Sequence, residues 1–271
     1  MKILVFWDIY GRIGRKAFTK EIANLKEEHT PDFVIANVDN ITSGRWAVSH
    51  LVDELCDLGV DLCTGWDHIF DNYDKVSESL DAEDSHIIRP GNFFESKYYK
   101  LAWKGYKILE KNGQKLLVIH VVSGTFLRDT VQNPYLYVDE LLDELCAEDF
   151  DAIILDYHKE ASAEVWSMAF FLDGRVSAVF GTHTHLQTND ELILDKGTGV
   201  IWDVWMSGSL YSVIGAEFWS IRKRTLTGIM KWKIKQSLDK RYVVNACLFD
   251  VCDKTGETKN ILKIRQRGEL S

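Results

Sequence analysis

Several apolar runs of this sequence end in side chains that can bind metal ions or transfer protons. They are Asp8, Asp39, Asn40, Asp67, His68, His158, His183 and His185. Carboxylates and imidazoles gathered in one place suit divalent transition metals such as Mn, Fe or Zn. Six or seven ligands are too many for one tetrahedral ion, and they suit two ions that share a bridging carboxylate and a water. Two ions about 3.5 to 4 Å apart are a known arrangement for in-line displacement at phosphorus.

This chemistry also needs a proton donor for the leaving alkoxide. His68 is the candidate, because it stands beside Asp67 and an imidazole titrates near neutral pH. Each of these residue types also has a simpler interpretation. An aspartate after a strand often caps a helix, and two histidines one residue apart are often a surface pair. It is the whole set, each member at a strand end and in this order, that favours a metal site.

The elements that must position these residues follow an α/β pattern. Strands are predicted over 2–7, 32–37 and 60–64, and helices over 11–29 and 46–58. This β-α-β-α-β order predicts a sheet with parallel strands. Because the carboxyl ends of such strands converge on one edge, the polar residues that follow them should meet there.

The rest of the chain predicts mixed β structure, a further βαβ unit and a β-rich tail. Strands are predicted over 99–110, 114–121, 151–156, 176–180, 199–203, 242–252 and 258–265, and helices over 134–146 and 160–172. Residues 111–113 (Lys-Asn-Gly) predict a hairpin turn between the first two of these strands. A single α/β domain over residues 1–271, with two packed sheets, fits this order better than two separate domains.

The composition excludes several classes of protein. Of the 271 residues 46% are hydrophobic and 27% charged, which excludes a disordered or collagen-like chain. The net charge of −9 argues against long nucleic acid as a partner, and no apolar run is long enough for a membrane span or a signal peptide. The five cysteines suggest reduced thiols, so we expect a cytoplasmic protein. The stretch over 222–235 is basic, which is typical of a solvated helix face or strand edge. The alternative is that its positive charge steers a nucleotide phosphate to the protein.

Seven segments resemble the calcineurin-like metallophosphoesterases, and within them the YmdB-like bacterial cyclic-nucleotide phosphodiesterases. They are 7–15 (WDIYGRIGR), 37–44 (NVDNITSG), 67–71 (DHIFD), 89–92 (RPGN), 156–161 (DYHKEA), 181–188 (GTHTHLQT) and 203–206 (DVWM). The resemblance extends over nearly the whole chain, and 181–188 is its most specific part. It implies an α/β fold in the form of a four-layer αββα sandwich of two mixed sheets.

The resemblance also implies a role for each site residue. Asp8 and His185 would bind the first metal, Asp39 would bridge both, and Asp67, His158 and His183 would complete the second site. Asn40 would be a further ligand or a phosphate contact, and His68 the proton donor. The two ions would be Fe or Mn, with Zn as a third candidate. The implied substrate is a 2′,3′- or 3′,5′-cyclic nucleotide or a small phosphodiester, cleaved through a metal-bridging hydroxide, and a homo-oligomer is compatible with this activity.

The sequence departs from the family pattern at six positions within or directly beside these segments. Asp39 stands where the family has glutamate, and Asp67 where it has asparagine. Tryptophans occupy three glycine positions and one threonine position of the family: Trp7, Trp66 and Trp205 for glycine, and Trp202 for threonine. Bulky indoles could fill a substrate pocket or shift the metal-binding loops. The alternative is therefore a catalytically impaired or inactive relative that binds a metal, a nucleotide or a protein, and a phosphomonoesterase is a third hypothesis.

Overall fold

The strands of this chain form two mixed β-sheets. The computed structural model describes residues 1–42, 49–65, 70, 85–102, 104–127 and 129–271. In chain order the strands are β1 (Lys2–Ile9), β2 (Phe33–Asn37), β3 (Leu62–Thr64), β4 (Ile87–Ile88), β5 (Tyr106–Lys111), β6 (Gln114–Val122), β7 (Ala152–His158), β8 (Ala178–Thr182), β9 (Leu192–Ile193), β10 (Gly199–Ile201), β11 (Met206–Ser209), β12 (Arg241–Val251) and β13 (Thr258–Glu269). The helices are α1 (Gly11–His29), α2 (Ser49–Asp57), α3 (Pro134–Glu144), α4 (Ser162–Phe171) and α5 (Phe218–Thr227).

The first sheet has the strand order β13-β12-β11-β1-β2-β3-β4. Strands β1 to β4 are parallel neighbours, and β11 lies parallel to β1 on its other side. Strand β12 is antiparallel to β1, β11 and β13, so the C-terminal hairpin closes this edge of the sheet. The predicted N-terminal parallel unit and the predicted closing hairpin are both confirmed.

The second sheet has the order β5-β6-β7-β8-β10-β9. Strands β6, β7, β8 and β10 are parallel, and the antiparallel strands β5 and β9 form the two edges. The predicted hairpin joins β5 to β6. Its turn residues Asn112 and Gly113 have φ angles of 54° and 79°, which asparagine and glycine tolerate best.

The helices complete a four-layer αββα sandwich. Alternate residues of β1 point to opposite faces of the first sheet. Phe6 faces α1, where its ring centroid lies 4.9 Å from that of Phe18, whereas Val5 and Trp7 face the second sheet. Helices α1 and α2 cover the outer face of the first sheet, and α3 and α4 cover the outer face of the second. The predicted fold class is confirmed.

The middle of the chain differs from its prediction. A strand was predicted over 99–110, but β5 begins only at Tyr106. Ser96 and Tyr99 form an isolated bridge, and Tyr98 and Tyr99 are exposed. Gly105 marks the boundary, because a Cβ there would lie 2.1 Å from the Cα of Gly91. The carbonyl oxygens of Lys104 and Gly105 accept single backbone hydrogen bonds from Arg89 and His120, but the regular ladder with β6 begins only at Tyr106.

The pattern also missed several short elements. Strands β4, β9 and β11 have two to four residues, and β11 consists of Met-Ser-Gly-Ser, which has little β propensity. Helix α5 was not predicted, and it lies outside the four layers: its residues are all exposed or half-buried. Among the described helices, none is long and apolar enough to cross a membrane.

Candidate active site

The carboxyl ends of strands from both sheets meet at one place. Asp8 lies near the end of β1, and Asp39 and Asn40 follow β2. From the second sheet, His158 ends β7, and His183 and His185 follow β8. Trp7 of the first sheet contacts His158 of the second sheet here, with their ring centroids 5.6 Å apart. The structure thus brings the described candidate residues to one edge, as the strand order predicts.

Asp8 and His185 form a buried ion pair. Asp8 is fully buried, and its Oδ2 accepts hydrogen bonds from Nε2 of His185 and, at 2.8 Å, from Nδ2 of Asn40. The other ring nitrogen of His185, Nδ1, lies 3.1 Å from the carbonyl oxygen of Ile214, which accepts a hydrogen bond from it. Burial disfavours the imidazolium, but the Asp8 carboxylate outweighs burial and raises the pKa of His185 to about 9.

His158 and His183 form a second pair. Nε2 of His158 lies 2.9 Å from Nδ1 of His183, so the two rings share one proton at this contact. Burial, together with the neighbouring His183 ring, holds the pKa of His158 well below its usual range. Burial also lowers the pKa of His183, against the effect of Glu160, whose carboxylate lies 2.9 Å from its Nε2. Both shifts favour the neutral form of the rings.

A buried polar network lies between the sheets beneath these residues. Asp156 of β7 accepts hydrogen bonds from the hydroxyls of Thr64 at 2.8 Å and Thr182 at 2.9 Å. The Thr64 oxygen in turn accepts from Nδ2 of Asn37 at 3.0 Å, and the Asn37 Oδ1 accepts from the backbone N–H of Asp39. The network therefore links β2 and β3 of the first sheet to β7 and β8 of the second, and fixes the backbone of Asp39.

His120 joins the same network from β6. Its Nδ1 lies 3.3 Å from Asp156 Oδ2, and the side chain is fully buried. Burial raises the pKa of Asp156, although His120 and the two threonine hydroxyls oppose that shift. His120 therefore lies beneath the site as a partner of Asp156.

The loop that carries both His183 and His185 is held by Asp203. Asp203 Oδ2 accepts from the backbone N–H of Thr184 at 2.9 Å and from its hydroxyl at 2.8 Å. The buried ammonium of Lys159 lies 3.4 Å from the same oxygen and 3.6 Å from the centre of the Trp202 ring. Burial lowers the pKa of Lys159, against the opposing effect of Asp203. A tightly bound loop keeps the two imidazoles in place.

Backbone strain is concentrated at this site. Asp8, His183, His185 and Trp205 all have positive φ angles, of 31°, 125°, 60° and 73°. Such angles cost an L-residue free energy and are found mostly where function or surrounding structure requires them. This conformation places the side chains of Asp8 and His185 in contact.

The tryptophans at family glycine and threonine positions lie around the site. Trp7 is buried between the sheets against His158, Trp202 packs on Lys159, and Arg265 lies 4.3 Å above the ring of Trp205. The indole nitrogens of all three are buried without a hydrogen-bond partner among the described residues. An unsatisfied buried N–H is unfavourable, so these rings are poorly matched to their surroundings. Trp66, Asp67 and His68 lie outside the described residues.

The donor set at this edge fits divalent metal ions. Asp8 Oδ1 is buried and has no hydrogen-bond partner in the described part of the chain. A buried oxygen without a hydrogen-bond partner is unfavourable, and a bound metal ion would supply the missing partner. Neutral imidazoles such as His158 and His183 are the form in which histidine binds metals. Within the described ranges, no three acidic, imidazole or thiol groups are already arranged around one point as metal ligands.

Sequence reasoning missed the residues that support the site. These are Asn37, Thr64, His120, Asp156, Lys159, Thr182 and Asp203. Several of them are polar residues inside apolar strands, as Thr64 is in β3 and Asp156 in β7. A polar side chain in a buried strand must find a partner, and this was the signal that could have identified them.

A comparison with known protein families gives a decisive match. Residues 4–264 match the family model described as "YmdB-like protein". The chain belongs to the YmdB-like family. The match covers nearly the whole chain, so the family predicted from the seven sequence segments is confirmed.

Individual relatives of this YmdB-like chain agree with the family. It is 32% identical to a protein of Bacillus subtilis named 2′,3′-cyclic-nucleotide 2′-phosphodiesterase, over 97% of this chain and 96% of that one. A crystal structure of a phosphatase from Mycoplasma pneumoniae superposes with a TM-score of 0.88 at 26% identity, covering 99% of this chain and 94% of the other. A protein of Thermus thermophilus gives the same TM-score at 30% identity, covering 98% and 99%. The prediction of a phosphoric ester hydrolase is confirmed at this level of reaction class.

Proposed function

We propose that this YmdB-like chain is a metal-dependent phosphodiesterase that cleaves 2′,3′-cyclic nucleotides. The observation that carries the proposal is the meeting of Asp8 with His185 and of His158 with His183 at one sheet edge. The name of the Bacillus subtilis relative supports the substrate class. 3′,5′-Cyclic nucleotides and other small phosphodiesters are the nearest alternative substrates.

Two divalent ions are part of this proposal, with Fe or Mn ahead of Zn. When bound, they would activate a water and neutralise charge on the phosphoryl oxygens. Asp8, Asp39, Asn40, Asp67, His158, His183 and His185 are the proposed ligands. Asp8 Oδ1 has no hydrogen-bond partner among the described residues, so it would be available to an ion without loss of a hydrogen bond.

The chain's own residues orient these ligands. Asp203 fixes the loop of His183 and His185, and the Ile214 carbonyl sets the ring orientation of His185 by accepting from Nδ1. A ligating histidine commonly donates its second ring N–H in this way. His68 is the proposed proton donor to the leaving oxygen. Loss of turnover in His68→Ala with metal content retained is the expected result, and unchanged turnover would remove His68 from the reaction.

Metal stoichiometry tests the proposal directly. Protein purified without chelators from medium supplemented with Mn and Fe should contain close to two ions per chain by elemental analysis. Asp8→Asn keeps the shape of the side chain but removes its charge, and should lose at least one ion. Asp57→Asn changes the same residue type at the exposed end of α2 and should change nothing.

Substrate comparison separates the candidate activities. The metal-loaded enzyme is assayed with 2′,3′-cyclic AMP, 3′,5′-cyclic AMP, bis(p-nitrophenyl) phosphate and p-nitrophenyl phosphate. We expect the 2′,3′-cyclic substrate to be cleaved fastest. A strong preference for the monoester would contradict the diesterase proposal.

The second candidate function is a binding protein without turnover, and Trp7 favours it. Its ring packs on the proposed ligand His158 in a position where the family has glycine. In that case the purified chain hydrolyses none of the four substrates at any Mn or Fe concentration. Recovery of hydrolysis in Trp7→Gly would then assign the loss of activity to this ring.

A further inference from the structure

A basic segment lies on the surface of the protein between β11 and β12. We call residues 217–236 the basic arm; it contains α5 and the stretch that returns from it. None of its residues is buried, and residues 225–235 are all exposed. The arm carries one of the chain's 41 acidic residues and six of its 32 basic ones: Arg222, Lys223, Arg224, Lys231, Lys233 and Lys235. It is therefore a concentrated positive charge on an acidic protein.

The basic arm also exposes large apolar side chains. Trp219, Leu226 and Met230 are 65%, 70% and 68% exposed, and Phe218 is 54% exposed. Single exposed apolar residues are ordinary, but several in one short segment indicate a surface that contacts another molecule.

The basic arm has a defined structure rather than that of a loose loop. The backbone N–H of Glu217 donates to the Lys235 carbonyl at 2.8 Å, and that of Lys235 donates to the Ser220 hydroxyl at 3.1 Å. Arg224 Nε donates to the Trp232 carbonyl at 2.6 Å. A surface held in this way loses less conformational freedom when it binds a partner.

A second exposed surface has the opposite charge. Leu136, Glu140, Asp143 and Glu144 are spaced so that they share one side of α3, and all four are exposed. Helix α4 adds Phe170, which is 64% exposed, and Phe171, whose ring lies 5.6 Å from that of Tyr135 on α3. We call these exposed residues of α3 and α4 the acidic face. Like the basic arm, it combines charge with exposed aromatic rings.

We infer that the basic arm of one copy of this chain docks on the acidic face of a second copy. The two surfaces match in charge, and both expose apolar groups that would be removed from water. Because two different surfaces meet, the association is head-to-tail and closes as a ring or continues as a chain. This assembly goes beyond the proposed hydrolytic activity and does not depend on it.

Other anionic partners explain less of the structure. An anionic bilayer or a nucleic acid strand would attract the arm but would leave the acidic face unused. Neither would account for the aromatic rings on the acidic face. A second copy uses both surfaces at once.

Charge reversal tests the pairing. In the arm variant, Lys231 and Lys233 are changed to glutamate (Lys231→Glu, Lys233→Glu). In the face variant, Glu140 and Glu144 are changed to lysine (Glu140→Lys, Glu144→Lys). Sedimentation velocity should show the unchanged chain associating, more weakly as salt is raised. Each variant alone should self-associate at least about tenfold more weakly, because like charges then meet. An equimolar mixture of the two variants should associate again, since each restores an opposite charge to the other.

A matched control carries the reversals Lys16→Glu and Lys254→Glu, at exposed positions outside both surfaces. It should associate like the unchanged chain. Circular dichroism verifies that every variant is folded. The inference is overturned if the unchanged chain is monomeric at its highest soluble concentration, if the control dissociates as much as the arm variant, or if the mixture stays monomeric. Binding of the monomer to phosphatidylglycerol vesicles or to polyuridylate would then assign the arm to that partner.

Discussion

Trp205 adopts a backbone conformation that suits glycine. Its φ of 73° lies in the left-handed region, where an L-residue is strained by about 1–2 kcal/mol. We expect Trp205→Gly to be more stable than Trp205→Ala by about 1 kcal/mol, because both lose the ring but only alanine keeps the strain. Urea denaturation of the two variants measures this difference.

The same pair of substitutions at Trp219 is the control. Trp219 lies in α5, where alanine is favoured over glycine by about 1 kcal/mol. The order of stability should therefore reverse between the two positions. Equal or greater stability of Trp205→Ala would show that the surroundings of Trp205, and not its backbone angle, determine the outcome.

Residue types identified the candidate site, but their pairing could not be predicted. The order of strand ends was enough to bring Asp8, His158, His183 and His185 to one edge. That Asp8 contacts His185, while His158 contacts His183, depends on positive φ angles within short loops. Such angles arise from the surrounding hydrogen bonds, including those of Asp203, and one sequence does not reveal them.

At the scale of elements, the Thr64 hydroxyl links the two sheets. It donates to Asp156 on β7 and accepts from Asn37 on β2. We expect Thr64→Val to lower the free energy of unfolding by about 2–3 kcal/mol, because the similar shape is kept while a buried carboxylate and a buried amide each lose a partner. Urea denaturation provides the measurement.

Thr64→Ser is the matched control for this link. Serine keeps the hydroxyl and removes only a methyl group, so most of the lost stability should return. If the serine variant is as unstable as the valine variant, the methyl packing of Thr64, rather than its hydrogen bonds, stabilises this junction.

Elements with a clear apolar period were the ones that the sequence predicted well. Helix α1 was predicted over its full length, because Ile13, Phe18, Ile22 and Leu25 repeat at helical spacing. Strand β11 was missed, since its Met-Ser-Gly-Ser composition has no strand signal. It forms because the parallel neighbour β1 and the antiparallel neighbour β12 supply hydrogen bonds. Pairing with distant partners is not encoded in a local pattern.

At the scale of the whole molecule, metal binding should stabilise the fold. The proposed ligands come from both sheets, so ions bound to them would tie the sheets together. A ligand at a hundred times its Kd adds about 2.7 kcal/mol, which for a chain of this size raises Tm by about 5–10 °C. We expect Mn²⁺ to raise the Tm of chelator-treated protein by this amount, measured by scanning calorimetry.

Asp8→Asn provides the comparison for this stabilisation. Its Tm should respond much less to Mn²⁺, because the charged ligand is gone. An equal rise in Asp8→Asn and in the unchanged chain would place the stabilising ion somewhere other than this site.

Net charge is a property of the whole chain and does not show how the charged residues are distributed over the surface. The value of −9 correctly describes an acidic protein but does not reveal that six basic residues lie together in the arm. The sequence did show that 222–235 is basic. The exposure of this stretch and the acidic face on α3 depend on how the helices pack, which only the structure shows.

The candidate site takes residues from both halves of the chain, so a backbone break between the halves would divide it. A break in the exposed turn between Asn112 and Gly113 leaves Asp8, Asp39 and Asn40 on one fragment. The other fragment keeps His158, His183 and His185. Each fragment also loses strands of both sheets, because β5 pairs with β6 across the break in one sheet and β12 pairs with β1 in the other. If these residues form the active site, we expect neither piece to act alone and activity to return only by fragment complementation.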